Sequence, residues 1–250
     1  RPQSGLVRGD LSALKGAVLG VSKGGEPVDI WRAMALRGYD TALKLGGLSF
    51  DDVTVKDVRA PDHRFTPGQR GATWSESSEQ ALLSGEVDLI YAKGAPAIAL
   101  QQKHGLDVVL DINQIAKTAY RINNGTPRPI TVHRHLLNDR PDLVVEYLRI
   151  LQRSADWSKQ NADQVAAIIA QETGTTPEDV VAGYGAGLAA HFDVSLSEER
   201  IKAFQDQGDF LYRHGLIETR VDVSHWIDPT PLLTASALKT SETLLFASQG

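Results

Sequence analysis

Four consecutive residues, Ser22, Lys23, Gly24 and Gly25, have the types and order of an anion cradle. They follow the apolar run Ala17 to Val21 and precede a helical pattern over 28–45, so they stand between a strand's carboxyl end and a helix's amino end. Unpaired backbone N–H groups and the helix dipole favour an oxyanion there, glycine lets it approach closely, and Lys23 adds charge. Glu26 opposes this, and the competing reading is a tight strand-to-helix turn that binds nothing.

Three further places could touch a ligand. Tyr91 and Lys93 follow an apolar strand that begins at Val87, again at a carboxyl end, where open α/β sheets hold their ligands. An aromatic packed at an edge and a solvated lysine are the alternative. Asn124, Thr126 and Arg128 lie in the polar stretch from Asn123 to Pro129, where Arg128 could grip an oxyanion bidentately, or where Pro127 and Pro129 merely stiffen a hinge. Of four tryptophans only Trp74, in a polar stretch at the end of the long 60–73 loop, is placed to face a ligand; the others read as core or interface.

Other motifs carry less. His133 and His135 alternate as strand neighbours do, but no third metal ligand stands near them, so they read as surface imidazoles and no metal is assigned. Gly183-Tyr184-Gly185-Ala186-Gly187 lacks a preceding strand and a Gly-Lys-Ser/Thr ending, which favours a broken or closely packed helix over a phosphate loop. No Ser-His-Asp order or nucleophile elbow occurs, and no cofactor is called for. The absence of cysteine removes disulfides, thiolate metal sites and a cysteine nucleophile from these residues.

These residues need a frame. Val53, Val55 and Val58 suggest a second strand, a helix follows near Ser77 to Leu83, and an apolar strand begins at Val87. A helix over 96–104 and a strand at Val108 to Leu110 come next. Strands alternating with helices indicate an α/β fold with a parallel, doubly wound sheet. Gly46-Gly47 ends the first helix. After residue 111 only Ile130 to His133 resembles a strand, and the rest is helical. Pro141-Asp142, Asn161 and Thr176-Pro177 mark helix starts, and Ser195 with Glu198 has capping-box spacing. A boundary falls between 112 and 129.

At 250 residues and a net charge of -5, with scattered lysines and arginines, the chain lacks the footprint of a nucleic-acid binder. No stretch approaches the roughly 20 apolar residues of a membrane span, and the opening residues have no signal-peptide h-region.

Four strings in order, "DLSALKGAVLGVSKGG" (10–25), "ALLSGEVDLIYAKGAPAIAL" (81–100), "RPDLVVEYLRILQRSADWSKQNADQVAAIIAQETG" (140–174) and "FQDQGDFLYRHGLI" (204–217), resemble the periplasmic solute-binding proteins of ABC importers for sulfonates, nitrate and taurine, thiamine-precursor binders included. The run 174–226 is also similar to desulfinases of dibenzothiophene desulfurisation, built on the same fold. The resemblance implies a type II periplasmic binding protein-like fold, two α/β lobes joined by a hinge. Residues 10–112 would form the second lobe, 113–134 the hinge return and 135–250 the helical part of a first lobe whose opening strands should precede Arg1. It further implies a small anionic organic ligand, sulfonate-like, an ABC permease as partner and a periplasmic or cell-surface location. The desulfinase likeness implies instead a cytoplasmic C–S or C–C lyase with its nucleophile upstream; a detached sensor domain is a third expectation.

Overall fold

The computed structural model describes residues 5–6, 8–23, 29–59, 73–122 and 129–247. Three parallel strands, β1 (Val18–Lys23), β2 (Thr54–Arg59) and β3 (Leu89–Ile90), lie in the order β2-β1-β3. Helix α1 (Ile30–Leu45) joins β1 to β2, and α2 (Thr73–Ser84) joins β2 to β3. Successive strand residues face opposite sides. Leu19 and Val21 accordingly pack under Ala35, Tyr39 and Leu43 of α1, while Val18 faces Ala81 and Leu82 of α2 with Val58 and Val87. That alternation makes a doubly wound sheet.

The register has visible causes. Asp88 holds the start of β1 from both sides, its carboxylate accepting from the Val18 N–H at 2.8 Å while its own N–H donates to the Val18 carbonyl at 2.8 Å. At Gly20 a Cβ would stand 3.0 Å from the Val87 side chain, so a side chain in the middle of β1 would press on Val87. Helix α1 opens where the Asp29 carboxylate accepts from the Arg32 N–H at 2.9 Å. It closes at Gly46, and the turn is completed by Gly47 at φ 70°, a conformation costly for other residues.

Val108 to Leu110, expected as a strand, is not one. Its described backbone bond is a single one, Gly9 N–H to the Val109 carbonyl at 3.0 Å, too little for a ladder, and Val109 and Leu110 pack into the α1 core instead. Helix α3 (Gly94–His104) precedes this segment and α4 (Thr118–Arg121) follows it. Ile130 to His133 is also no strand: Ile130 and Val132 are exposed, no described segment pairs with them, and the chain enters α5 (Arg134–Asp139). His133 is the residue before that helix and His135 lies within it, so strand alternation does not apply to them.

The remainder is helical: α6 (Pro141–Gln160), α7 (Ala162–Thr173), α8 (Pro177–Tyr184), α9 (Glu198–Arg213), α10 (Val223–Trp226) and α11 (Thr230–Ala247). Thr176 and Asp179 form a reciprocal capping box at the start of α8. Helix α9 is capped by Ser197, which accepts from the Arg200 N–H at 3.4 Å, and not by Ser195, whose hydroxyl accepts from the Ser197 N–H at 3.2 Å. Val144 and Leu148 of α6 pack with Ala235 of α11. Beside that buried face Leu143, Tyr147, Ile150 and Trp157 form an exposed apolar row on α6.

The helical part is joined to the sheet at α9. Phe210, with no exposed surface, sits in the cluster formed by β1 and α1. Arg37 of α1 donates to the Ala119 carbonyl at 3.3 Å and Thr41 to the Tyr120 carbonyl at 3.3 Å, which fixes α4 against α1.

Candidate functional site

The residues singled out in the sequence fall into separate groups. Ser22 and Lys23 end β1. The Ser22 hydroxyl shares a hydrogen bond with that of Ser78 on α2 at 2.9 Å, and the Lys23 ammonium donates to the Asp57 carboxylate at 3.1 Å. Arg32 binds the same carboxylate. Partial burial pushes the Asp57 carboxyl up, but the hydrogen bonds from Arg32 and Lys23 outweigh it and hold the group below its ordinary value. With Asp29 capping α1, the helix's amino end is answered by a carboxylate of its own chain. This described rim therefore balances Lys23 and Arg32 against Asp57 and Asp29. Gly24 and Gly25 lie outside the described residues.

Tyr91 and Lys93 follow β3 and line a cavity of about 240 Å³. Its floor is apolar. Tyr91 packs its ring edge on α1, so closely that a Cβ on Gly38 would stand 3.0 Å from it. Beneath it, the buried Tyr39 phenol donates to the Gly20 carbonyl at 2.6 Å, and burial pushes its pKa far above the ordinary tyrosine range. Lys93 is the residue before α3, and its side chain does not cap that helix.

The far wall comes from α8. Ala182, Gly183 and Tyr184 border the cavity, and Asn113 Nδ2 donates to the Gly183 carbonyl at 3.2 Å. Gly94 starts α3 at φ 62° against the Tyr184 ring, while Ala95 is fully buried among Ala166, Ala170 and Val180. Described lining residues include lysine, tyrosine, aspartate and amides, but no serine, threonine, histidine or cysteine. Such walls can enclose an apolar body and meet a polar or charged group at the rim.

Ser22 and Lys23 do not line this cavity. Trp74 lies in α2, with its side chain outside the described residues, as are Asn124, Thr126 and Arg128. Sequence reasoning passed over Tyr39, Asn113 and Tyr184 as lining residues. The signal for the last was the glycine-flanked Gly183-Tyr184-Gly185, whose close helix packing the structure bears out.

No family model matches the chain. Over 156 residues it is 24% identical to a protein of Bacillus subtilis (strain 168) whose name is that of an aliphatic sulfonates-binding protein; the match takes in 62% of this chain and 44% of that relative, so it spans less than half the relative's length. The crystal structure of the desulfurization enzyme DSZB superposes with a TM-score of 0.69 and 20% identity, covering 96% of this chain and 75% of that one. The periplasmic aliphatic sulphonate binding protein SsuA from Escherichia coli superposes with a TM-score of 0.56 and 15% identity, covering 86% of this chain and 59% of its own. Both resemblances seen in the sequence strings thus reappear, and the fold is that of the periplasmic binding protein-like α/β class they implied.

Proposed function

We propose that this chain forms part of a two-lobed receptor that encloses a small anionic organic solute, sulfonate-like, and delivers it to an ABC permease from the periplasmic side of the membrane. The observation that carries this reading is the cavity whose walls come from two parts of the chain, 88–113 on one side and α8 on the other. The names of the sulfonate-binding relatives support it. Residues 10–112 make one lobe, 113–134 the return and 135–250 the helical part of the other. The apolar row on α6 supports a further layer packed against that part. Lys93 and Tyr91 are the contacts assigned to the cavity, with Ser22, Lys23, Gly24 and Gly25, Trp74, Asn124, Thr126 and Arg128 as further contacts of a closing rim.

A ligand that binds only the folded form stabilises it by about 2.7 kcal/mol at a hundredfold excess over Kd. A thermal-shift screen of alkyl and aryl sulfonates, sulfinates, carboxylates and nitrate therefore tests the reading directly. We expect a rise in Tm with at least one sulfonate; no rise with any of these anions would overturn it.

A second reading, a desulfinase-like lyase, is favoured by the DSZB superposition, which covers three quarters of that chain. Incubation of the full-length gene product with an aryl sulfinate separates the two. Sulfite release supports the lyase, and binding without release supports the receptor.

A further inference from the structure

Several polar groups that line the cavity are engaged by the chain's own backbone. The Tyr39 phenol donates to the Gly20 carbonyl, and the Asn113 amide donates to the Gly183 carbonyl. The Asp88 carboxylate accepts from the Val18 N–H at 2.8 Å and that of Asp111 from the Asn113 N–H at 3.0 Å. Much of the remaining wall is aliphatic, with Leu89, Ile90, Ile98, Leu100, Leu106 and Ile112 in it. Asp88, Asp107 and Asp111 stand against Lys93, the one basic residue among the described lining residues, so an oxyanion is favoured at Lys93 and repelled elsewhere. Lys93 directly precedes α3, whose first N–H groups have no side-chain cap, whereas those of α1 are answered by Asp29.

We propose that the cavity holds the apolar body of the solute, with the oxyanion at Lys93, so that the class selected is an aryl or alkyl sulfonate and not taurine or nitrate. This inference rests on the reading of the cavity as the ligand site. An aliphatic cavity of about 150 Å³ takes up one benzene. At about 240 Å³, this one has room for a substituted ring or a short alkyl chain. Nitrate brings no body to bury, and taurine would have to desolvate its ammonium against aliphatic walls. The room is set by small residues. Gly38, Ala42 and Ala97 border it, and a Cβ on Gly38 would press on the Tyr91 ring. The far wall cannot recede, because a Cβ on Gly183 would stand 2.7 Å from the Gly94 carbonyl carbon. Ala97, half-buried on α3, is the position where a larger side chain fills the cavity at little cost to the helix.

The body and the charge can be tested apart on the full-length gene product. Toluene, a body without a charge, should raise the Tm of the native protein and leave that of Ala97→Leu unmoved. Where leucine unfolds the protein, Ala97→Val, the smaller filler, gives the reading. In calorimetric titrations with ethane-, butane- and hexanesulfonate, Kd should fall about fourfold per added methylene. Propanesulfonate should bind more tightly than taurine, which has an ammonium in place of the terminal methyl. Lys93→Met should weaken every sulfonate by one common factor, about tenfold, and leave the methylene increment and the toluene response as they are. No toluene response in the native protein, an equal response in the filled variant, or tighter binding of taurine would each overturn the inference. Sulfonates that bind without regard to chain length would overturn it too, and leave the receptor reading standing. A toluene response lost in Ala97→Leu, with no sulfonate bound, would support the apolar cavity and overturn the receptor reading.

Discussion

The guanidinium of Arg37 lies 5.0 Å from the centre of the Phe210 ring, so that the first helix after β1 and a helix near the end of the chain meet through a cation and an aromatic face. Arg37 is buried, is ion-paired with Asp40 at 3.8 Å, and carries an Nε without a hydrogen-bond partner among the described residues. Its pKa is lowered by burial, which Asp40 and Asp206 oppose. Phe210→Ala should therefore destabilise the fold by about 3–5 kcal/mol through the cavity it leaves, with the uncovered guanidinium adding to the loss. Urea unfolding of the two proteins at neutral pH measures this, and a loss below about 1 kcal/mol would remove α9 from the core of the sheet.

Tyr39 ties α1 to the middle of β1 through its hydroxyl and the Gly20 carbonyl. Tyr39→Phe removes the donor from a buried acceptor at little change of shape. The expected loss is about 1–3 kcal/mol with an unchanged slope of unfolding free energy against urea.

His214 gives a pH dependence whose sign can be worked out. Its ring is 4.3 Å from that of Phe210 and 5.5 Å from that of Phe50. Desolvation lowers its pKa below 6.5; Asp40 opposes this, while Arg213, Lys44 and Arg37 reinforce it. The unfolded chain then takes up the proton more readily than the folded one, so the contribution of neutral His214 is complete above pH 6.5 and is lost as pH falls through the depressed value. His214 is exposed, which keeps the effect small. His214→Gln should flatten the fall in the urea midpoint as the pH is lowered below 6.5. An identical fall in both proteins would assign the acid sensitivity to another group.

The row Leu143, Tyr147, Ile150 and Trp157 exposes four large apolar side chains along one edge of α6. Spacings of four, three and seven keep them on one stripe. In the isolated 250-residue protein this stripe should promote self-association, seen as concentration-dependent sedimentation in the micromolar range. Tyr147→Glu with Ile150→Glu should shift the distribution to the monomer without lowering Tm. A native chain that sediments as a monomer throughout that range would count against an uncovered stripe.

Much of the frame is legible residue by residue. The β1–α1 unit follows from its apolar run, the helical spacing over 28–45 and Gly46-Gly47, and α8 follows from Thr176, Pro177 and Asp179, because strand alternation and helix caps are local. Val108 to Leu110 and Ile130 to His133 misled for the same reason. Their composition suits a strand, yet a strand exists only where another supplies a ladder, and composition is silent on that. Ser195 and Ser197 both have hydroxyls near the start of α9, and the choice between them depends on backbone geometry. The cavity was half legible: Tyr91 and Lys93 stand at a strand end, but their facing wall, Gly183 and Tyr184, lies far along the chain. A pair of glycines that meet across such a separation leaves no periodic trace.

Phe210 also imposes an order of events during synthesis. The pocket it fills is built by Leu19, Val21, Leu36 and Leu43, which leave the ribosome long before α9 is made. At roughly 5–20 residues per second the wait for Phe210 is on the order of ten seconds or more. Throughout that interval the apolar cluster of β1 and α1 lacks the ring that fills it.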